Sequence, residues 1–114
     1  MQTYDYKIKQ GETFEGCFYL LDDDGKALDI TGMKAKGQIR PPKKSSDFVV
    51  DFHTGIDLDT ACVSYNLSAL ETKAIPVGDY EYDVCLYEDT TGGRIVYYYL
   101  GGKFMVTRSI TEAV

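Results

Sequence analysis

Asp22-Asp23-Asp24-Gly25 is the densest run of oxygen ligands in the chain. Carboxylates ahead of a glycine could open a calcium loop, with Asp57 and Asp59 as remote help. The EF-hand spacing fails, because no Glu follows at the required position and no helices are expected on either side. Asp and Gly are also the ordinary residues of tight turns, and a hairpin turn over Leu21–Lys26 is the reading taken here. His53 is the only histidine, which excludes a His-rich metal site and leaves a single possible base for a Ser or Cys nucleophile. No Gly-x-Ser-x-Gly elbow occurs, and no cysteine has a recognisable catalytic context. His53 therefore reads as a surface residue at a strand end. Gly92-Gly93 and Gly101-Gly102 lack the lysine and following helix of a phosphate loop, so they read as a turn and as a bulge or kink. The expectation is a protein with no catalytic residue, no cofactor and no metal, and hence no enzyme.

Cys17, Cys62 and Cys85 are an odd set at wide spacings, without Cys-x-x-Cys. By strand parity each lies opposite a core-facing neighbour (Phe18, Val63, Val84). Three free thiols and synthesis in a reducing cytoplasm follow.

These residues need strands to hold them. Tyr80, Tyr82, Val84 and Leu86 alternate with Glu81, Asp83, Cys85 and Tyr87, the period of a strand with one face on a core. Pro76 and Gly78 mark the turn before it, and Gly78-x-Tyr80 has the local form of a tyrosine corner of immunoglobulin-type sandwiches. Tyr82 stands where an antibody domain would carry its second disulfide cysteine. Earlier, Tyr4, Tyr6 and Ile8 alternate, then Phe14, Gly16, Phe18 and Leu20, then Met33, Ala35, Gly37 and Ile39 against Lys34, Lys36, Gln38 and Arg40. Residues 41–47 form a loop with two prolines and two lysines. Phe48, Val50 and Phe52 make a short strand, and residues 56–67 supply the next. Ser68 and Glu71 fit a capping box that starts one or two helical turns, ended by Pro76. Residues 94–100 and 103–107 close the set. The fold class expected is all-β, an immunoglobulin-like antiparallel sandwich with one short helical turn near 68–74.

The chain has 114 residues, 44% hydrophobic and 26% charged, with ten Tyr, five Phe, eleven Gly and only three Pro. That is globular and strand-rich, without repeat or linker, and a single domain over 1–114 is expected. The net charge of −6 argues against nucleic acid and against an anionic membrane surface. No stretch reaches the roughly 18 apolar residues of a membrane span, and no signal peptide is visible at the start.

Arg94-Ile95-Val96-Tyr97-Tyr98-Tyr99-Leu100 is apolar at both parities. Val96, Tyr98 and Leu100 are expected on the core face, with Ile95, Tyr97 and Tyr99 outside, joined by Tyr87 of the preceding strand. A slip of one residue would exchange the two sets. Cross-strand tyrosines often lie flat and cover their neighbours. Equally, an aromatic outer face marks an interface. Both readings stand at this point.

Three groups of residues carry a resemblance over nearly the whole chain. The opening group is Gly11-x-x-Phe14, Leu20-x-Asp22-x-Asp24-Gly25 and Asp29-Ile30-Thr31-Gly32. The middle group is Leu67-Ser68-x-x-Glu71-Thr72-x-x-Ile75-Pro76-x-Gly78-x-Tyr80-x-Tyr82-Asp83. The closing group is Gly93-Arg94, Leu100-x-Gly102-x-Phe104-x-Val106-Thr107 and Ile110-Thr111. Together they resemble the N-terminal domain of baseplate upper proteins and related tail and fibre proteins of tailed bacteriophages. The resemblance implies an immunoglobulin-like sandwich attached to a virion, with other virion proteins as partners and no catalytic residues. In the baseplate proteins a coiled coil and a receptor-binding or adaptor region follow. Here the sequence stops at Val114, so the expectation is an adaptor, connector or decorating subunit, present in several copies and made in the bacterial cytoplasm. A carbohydrate-binding module that stacks sugars on Tyr87, Tyr97 and Tyr99 is the alternative. Sugar platforms set their aromatics among Asp, Asn and Arg, which this strand largely lacks.

Overall fold

The computed structural model describes residues 1–42 and 48–114. The expected loop over 41–47 therefore lies mostly outside the described residues. In chain order the strands are β1 (Gln2–Thr3), β2 (Tyr6–Lys9), β3 (Phe14–Tyr19), β4 (Lys34–Arg40), β5 (Val50–Asp51), β6 (His53–Asp57) and β7 (Cys62–Leu67). A one-turn helix α1 (Ala69–Lys73) follows, and then two long strands, β8 (Gly78–Thr90) and β9 (Gly93–Thr107). One sheet runs β1-β9-β8-β4-β5, with β2 also on β9, and the other runs β3-β7-β6. The molecule is an all-β sandwich with a short helical turn, as the alternation of its sequence requires.

Every pairing is antiparallel except that β1 and β2 run parallel to β9. The larger sheet is therefore mixed rather than wholly antiparallel. The alternation at Tyr4, Tyr6 and Ile8 suggests one strand, but the chain makes two, because it jogs at Tyr4 and Asp5. Gly102 explains the jog: a Cβ there would sit 2.3 Å from the Tyr4 carbonyl oxygen. The Asp5 carboxylate fills the break by accepting from the Lys103 N–H at 2.9 Å, which keeps the ladder's donor satisfied. Gly101 and Gly102 stay in register with Asp83 and Tyr82, so they are not the expected bulge. Their smallness serves the close approach of the N-terminal segment.

Phe48, Val50 and Phe52 also read as one strand, and here too the chain turns. β5 belongs to the large sheet and β6 to the small one. The switch occurs at buried Phe52, whose N–H donates to the Gly37 carbonyl. Asp57 accepts the Asp59 N–H in the tight turn that joins β6 to β7.

The core lies between the sheets. Ile39, Val63, Tyr65, Val84, Leu86 and Phe104 are fully buried. Tyr6, Phe14, Phe52, Tyr65, Tyr82 and Phe104 form one ring cluster at centroid separations of 4.8–6.5 Å, within the range of favourable aromatic pairs. Tyrosine hydroxyls in such a place need partners. The Tyr6 and Tyr65 hydroxyls hydrogen-bond each other at 2.5 Å, across the two sheets, and Tyr82 donates to the Tyr4 carbonyl at 2.5 Å. Burial raises the pKa of both Tyr65 and Tyr82, and the Tyr6 hydroxyl adds to the rise in each.

Ser68 caps α1 and forms the full capping box with Glu71. A single turn is too short to persist on its own propensity. It is held because Thr72, fully buried, donates its hydroxyl to the Glu12 carbonyl at 2.8 Å. Beyond it, buried Tyr80 donates its hydroxyl to the Pro76 carbonyl at 2.7 Å, while Gly78 opens β8.

Candidate interaction surface

β8 and β9 pair from Gly78↔Val106 to Thr90↔Gly93 with one irregularity. Val84 faces Leu100 but Cys85 faces Tyr98, so Tyr99 is the extra residue of a β-bulge. The bulge reverses parity beyond it. Tyr97 now pairs with Leu86, a fully buried core residue, and Ile95 pairs with Glu88 on that same face. Tyr99 turns toward the core, its ring 6.1 Å from Phe18 and 6.4 Å from Tyr97. Tyr87 pairs with Val96 and shares the opposite face with Tyr98.

The expected outer set of Tyr87, Ile95, Tyr97 and Tyr99 is thus not one face. Its members divide between the two faces of the hairpin, because the bulge supplies the one-residue slip that strict alternation lacked. The exposure nevertheless survives. Ile95 is 43% exposed and Tyr97 49%, although both point to the sandwich side, and on the other face Val96 is 41% and Tyr98 56% exposed. The hairpin outruns its neighbour: Lys34, the first residue of β4, pairs with Tyr87, leaving the rungs from Glu88 to Thr90 beyond it.

The arm's tip is closed by its own residues. Arg94 bonds Asp89 at 2.7 Å and lies 4.3 Å over the Tyr87 ring. That hydrogen bond lowers the Asp89 pKa and raises that of Arg94. Tyr87 is therefore occupied by an intramolecular cation–π contact. Among the described residues no cation covers Ile95 or Tyr97 in this way.

The remaining candidate residues are dispersed. Asp22 Oδ1 accepts the N–H groups of Asp24 and Lys26, both at 2.9 Å, so that carboxylate serves the turn. Among the described residues no group of three or more His, Cys, Asp or Glu side chains could hold a metal ion. His53 is exposed at the start of β6, with Nε2 at 2.8 Å from Glu71 of the capping box. The three cysteines are free. Cys17 is exposed and Cys62 half-buried, whereas Cys85 is buried on the outer face between Lys36 and Tyr98, and burial raises its thiol pKa. A shallow polar concavity of about 710 Å³ crosses the outer face of the large sheet, lined by Asp5, Arg40, Glu81, Asp83 and Lys103. Desolvation raises the Asp83 pKa against the pull of Arg40. Neither histidine nor cysteine lines it. No described helix is long and apolar enough to cross a membrane.

No family model matches the chain, and no curated protein sequence matches it. Among solved structures it is similar to the N-terminal domain of phage TP901-1 ORF48, at a TM-score of 0.55 and 12% identity, over 88% of this chain and 81% of that one. A second match is a family 123 glycoside hydrolase from Clostridium perfringens, at a TM-score of 0.37 and 10% identity, over 94% of this chain and 23% of that one. The second score is too low to argue from. The fold, as the sequence motifs imply, is one that a phage domain shares.

Proposed function

We propose that this chain is a non-enzymatic structural component of a bacteriophage virion, folding as one immunoglobulin-like unit over residues 1–114. It acts through contacts with other virion proteins, in several copies, after synthesis in the bacterial cytoplasm. A tail, baseplate or fibre attachment subunit is the reading favoured. The observation that carries it is the shared fold with a phage domain over 88% of the chain, found where the sequence motifs point to the same setting. An arm whose Ile95 and Tyr97 are large, apolar and about half exposed supplies a contact surface suited to such a role.

The test is assembly. Ile95→Ala with Tyr97→Ala should leave the isolated domain folded and reduce its incorporation into particles, since central Tyr anchors typically cost 2 kcal/mol or more on truncation. Intact incorporation combined with lost binding on a glycan array would decide for a carbohydrate-binding module. The Tyr97 ring, about half exposed, and the partly buried Tyr99 ring 6.4 Å from it are the feature that would serve it.

A further inference from the structure

Among the described residues β3 is a strand edge with little protection over its second half, Gly16–Tyr19. Among the described residues it pairs only with β7, so half of its N–H and C=O groups point away from any strand. Native edges are normally shortened, charged or bent. β1 and β5 have two residues each, β2 carries Lys7 and Lys9, and β6 carries His53 and Asp57. β3 runs for six residues, Phe14-Glu15-Gly16-Cys17-Phe18-Tyr19, with no lysine, proline or bulge, and its single charge, Glu15, sits at the end away from Cys17–Tyr19.

This edge forms one wall of a seam between the sheets, and β1 forms the other. Two shallow concavities of about 420 and 510 Å³ meet at Gln2 and Phe18. Leu100 and Tyr65 floor one, Tyr99 the other. Tyr19 and Tyr98, each more than half exposed, stand at the rim. No charged side chain lines either concavity, in a chain with 30 charged residues, the 12 basic and 18 acidic ones together.

We propose that the free edge of β3 accepts an extended, uncharged segment of another protein by β-strand addition. Backbone hydrogen bonds to β3 supply the attachment, and alternate side chains of the incoming strand enter the seam over Phe18 and Tyr99. Charge complementarity selects the occupant. A seam without charged side chains offers no side-chain partner to a charge on the incoming segment, and a second copy would bring another net −6 against this one. A sugar would find rings here but none of the carboxylate or guanidinium groups that sugar platforms set among their aromatics. The inference stands apart from the virion reading and holds whatever that reading's fate.

The experiment is an amide-resolved NMR titration of the whole chain with capped hexapeptides that alternate Thr with Val, Tyr or Leu. At least one peptide should produce saturable shifts and slowed hydrogen exchange across Cys17–Tyr19. The same peptide N-methylated at alternate residues should not. Cys17→Lys, a change at an exposed site, should weaken binding about tenfold or more, which is about 1.4 kcal/mol. Shifts absent from β3 for every peptide, equal binding of the N-methylated form, or shifts produced only by an uncharged oligosaccharide would each overturn the proposal.

Discussion

Tyr80 shows how one hydroxyl holds a corner. Its bond to the Pro76 carbonyl fixes the chain just where it leaves α1 for β8. Tyr80→Phe should lower stability by about 1 kcal/mol, the value of one buried hydrogen bond, read as a shift in the urea midpoint. An unchanged midpoint would show that the corner is held by packing alone. Tyr65 and Tyr82 make a second prediction. Their folded pKa values lie above the unfolded value of 10.0, so the folded state keeps protons that the unfolded chain loses. Stability from this source is fully present below about pH 10 and falls as pH rises past it, because the unfolded state then binds fewer protons. Urea midpoints measured from pH 9 to 11 should fall more steeply for the native chain than for Tyr65→Phe with Tyr82→Phe. Equal slopes would contradict the burial assigned to these hydroxyls. The cysteines supply a third. Without denaturant Cys17 should react first with a thiol reagent and Cys85 last, and all three should react once unfolded. A count of one would reveal a disulfide.

At the scale of elements, the sequence exposes periodicity and hides interruptions. The Tyr80 strand, the Ser68–Glu71 capping box and the Asp22–Gly25 turn were legible because each rests on residues close in the chain. The bulge at Tyr99 was not. Three successive tyrosines fit either face, so nothing local names the extra residue, and the choice is made by Leu100 and Leu86 both reaching the core. That is why Tyr87 parted from Ile95 and Tyr97. The split of the first strand was likewise invisible, because its cause, Gly102, lies 98 positions beyond Tyr4. Gly101-Gly102 did signal something unusual there, but close approach and bulge share that signature. Gly102→Ala should push the Tyr4 segment off β9 and cost roughly 1–3 kcal/mol, as overpacking does. Faster hydrogen exchange confined to residues 2–5 and their β9 partners would locate the loss. Unaltered exchange there would contradict the close approach.

At the scale of the whole molecule, two surfaces group exposed or partly exposed aromatic rings: the β8–β9 arm and the seam beside β3. Neither holds a catalytic constellation, and both suit contact with protein. The fold was legible in the sequence because alternation and turn residues specify strands. The contact surface was only half legible, since exposure depends on how far a hairpin outruns its sheet, and strand parity does not record that. The most direct test of a structural virion component is to ask whether the chain is in the particle. Particles purified by density gradient and washed in high salt should retain it at a fixed ratio to the other structural proteins, with gold-labelled antibody at one defined position. Its absence from washed particles, with the protein left free in the infected-cell lysate, would contradict the account.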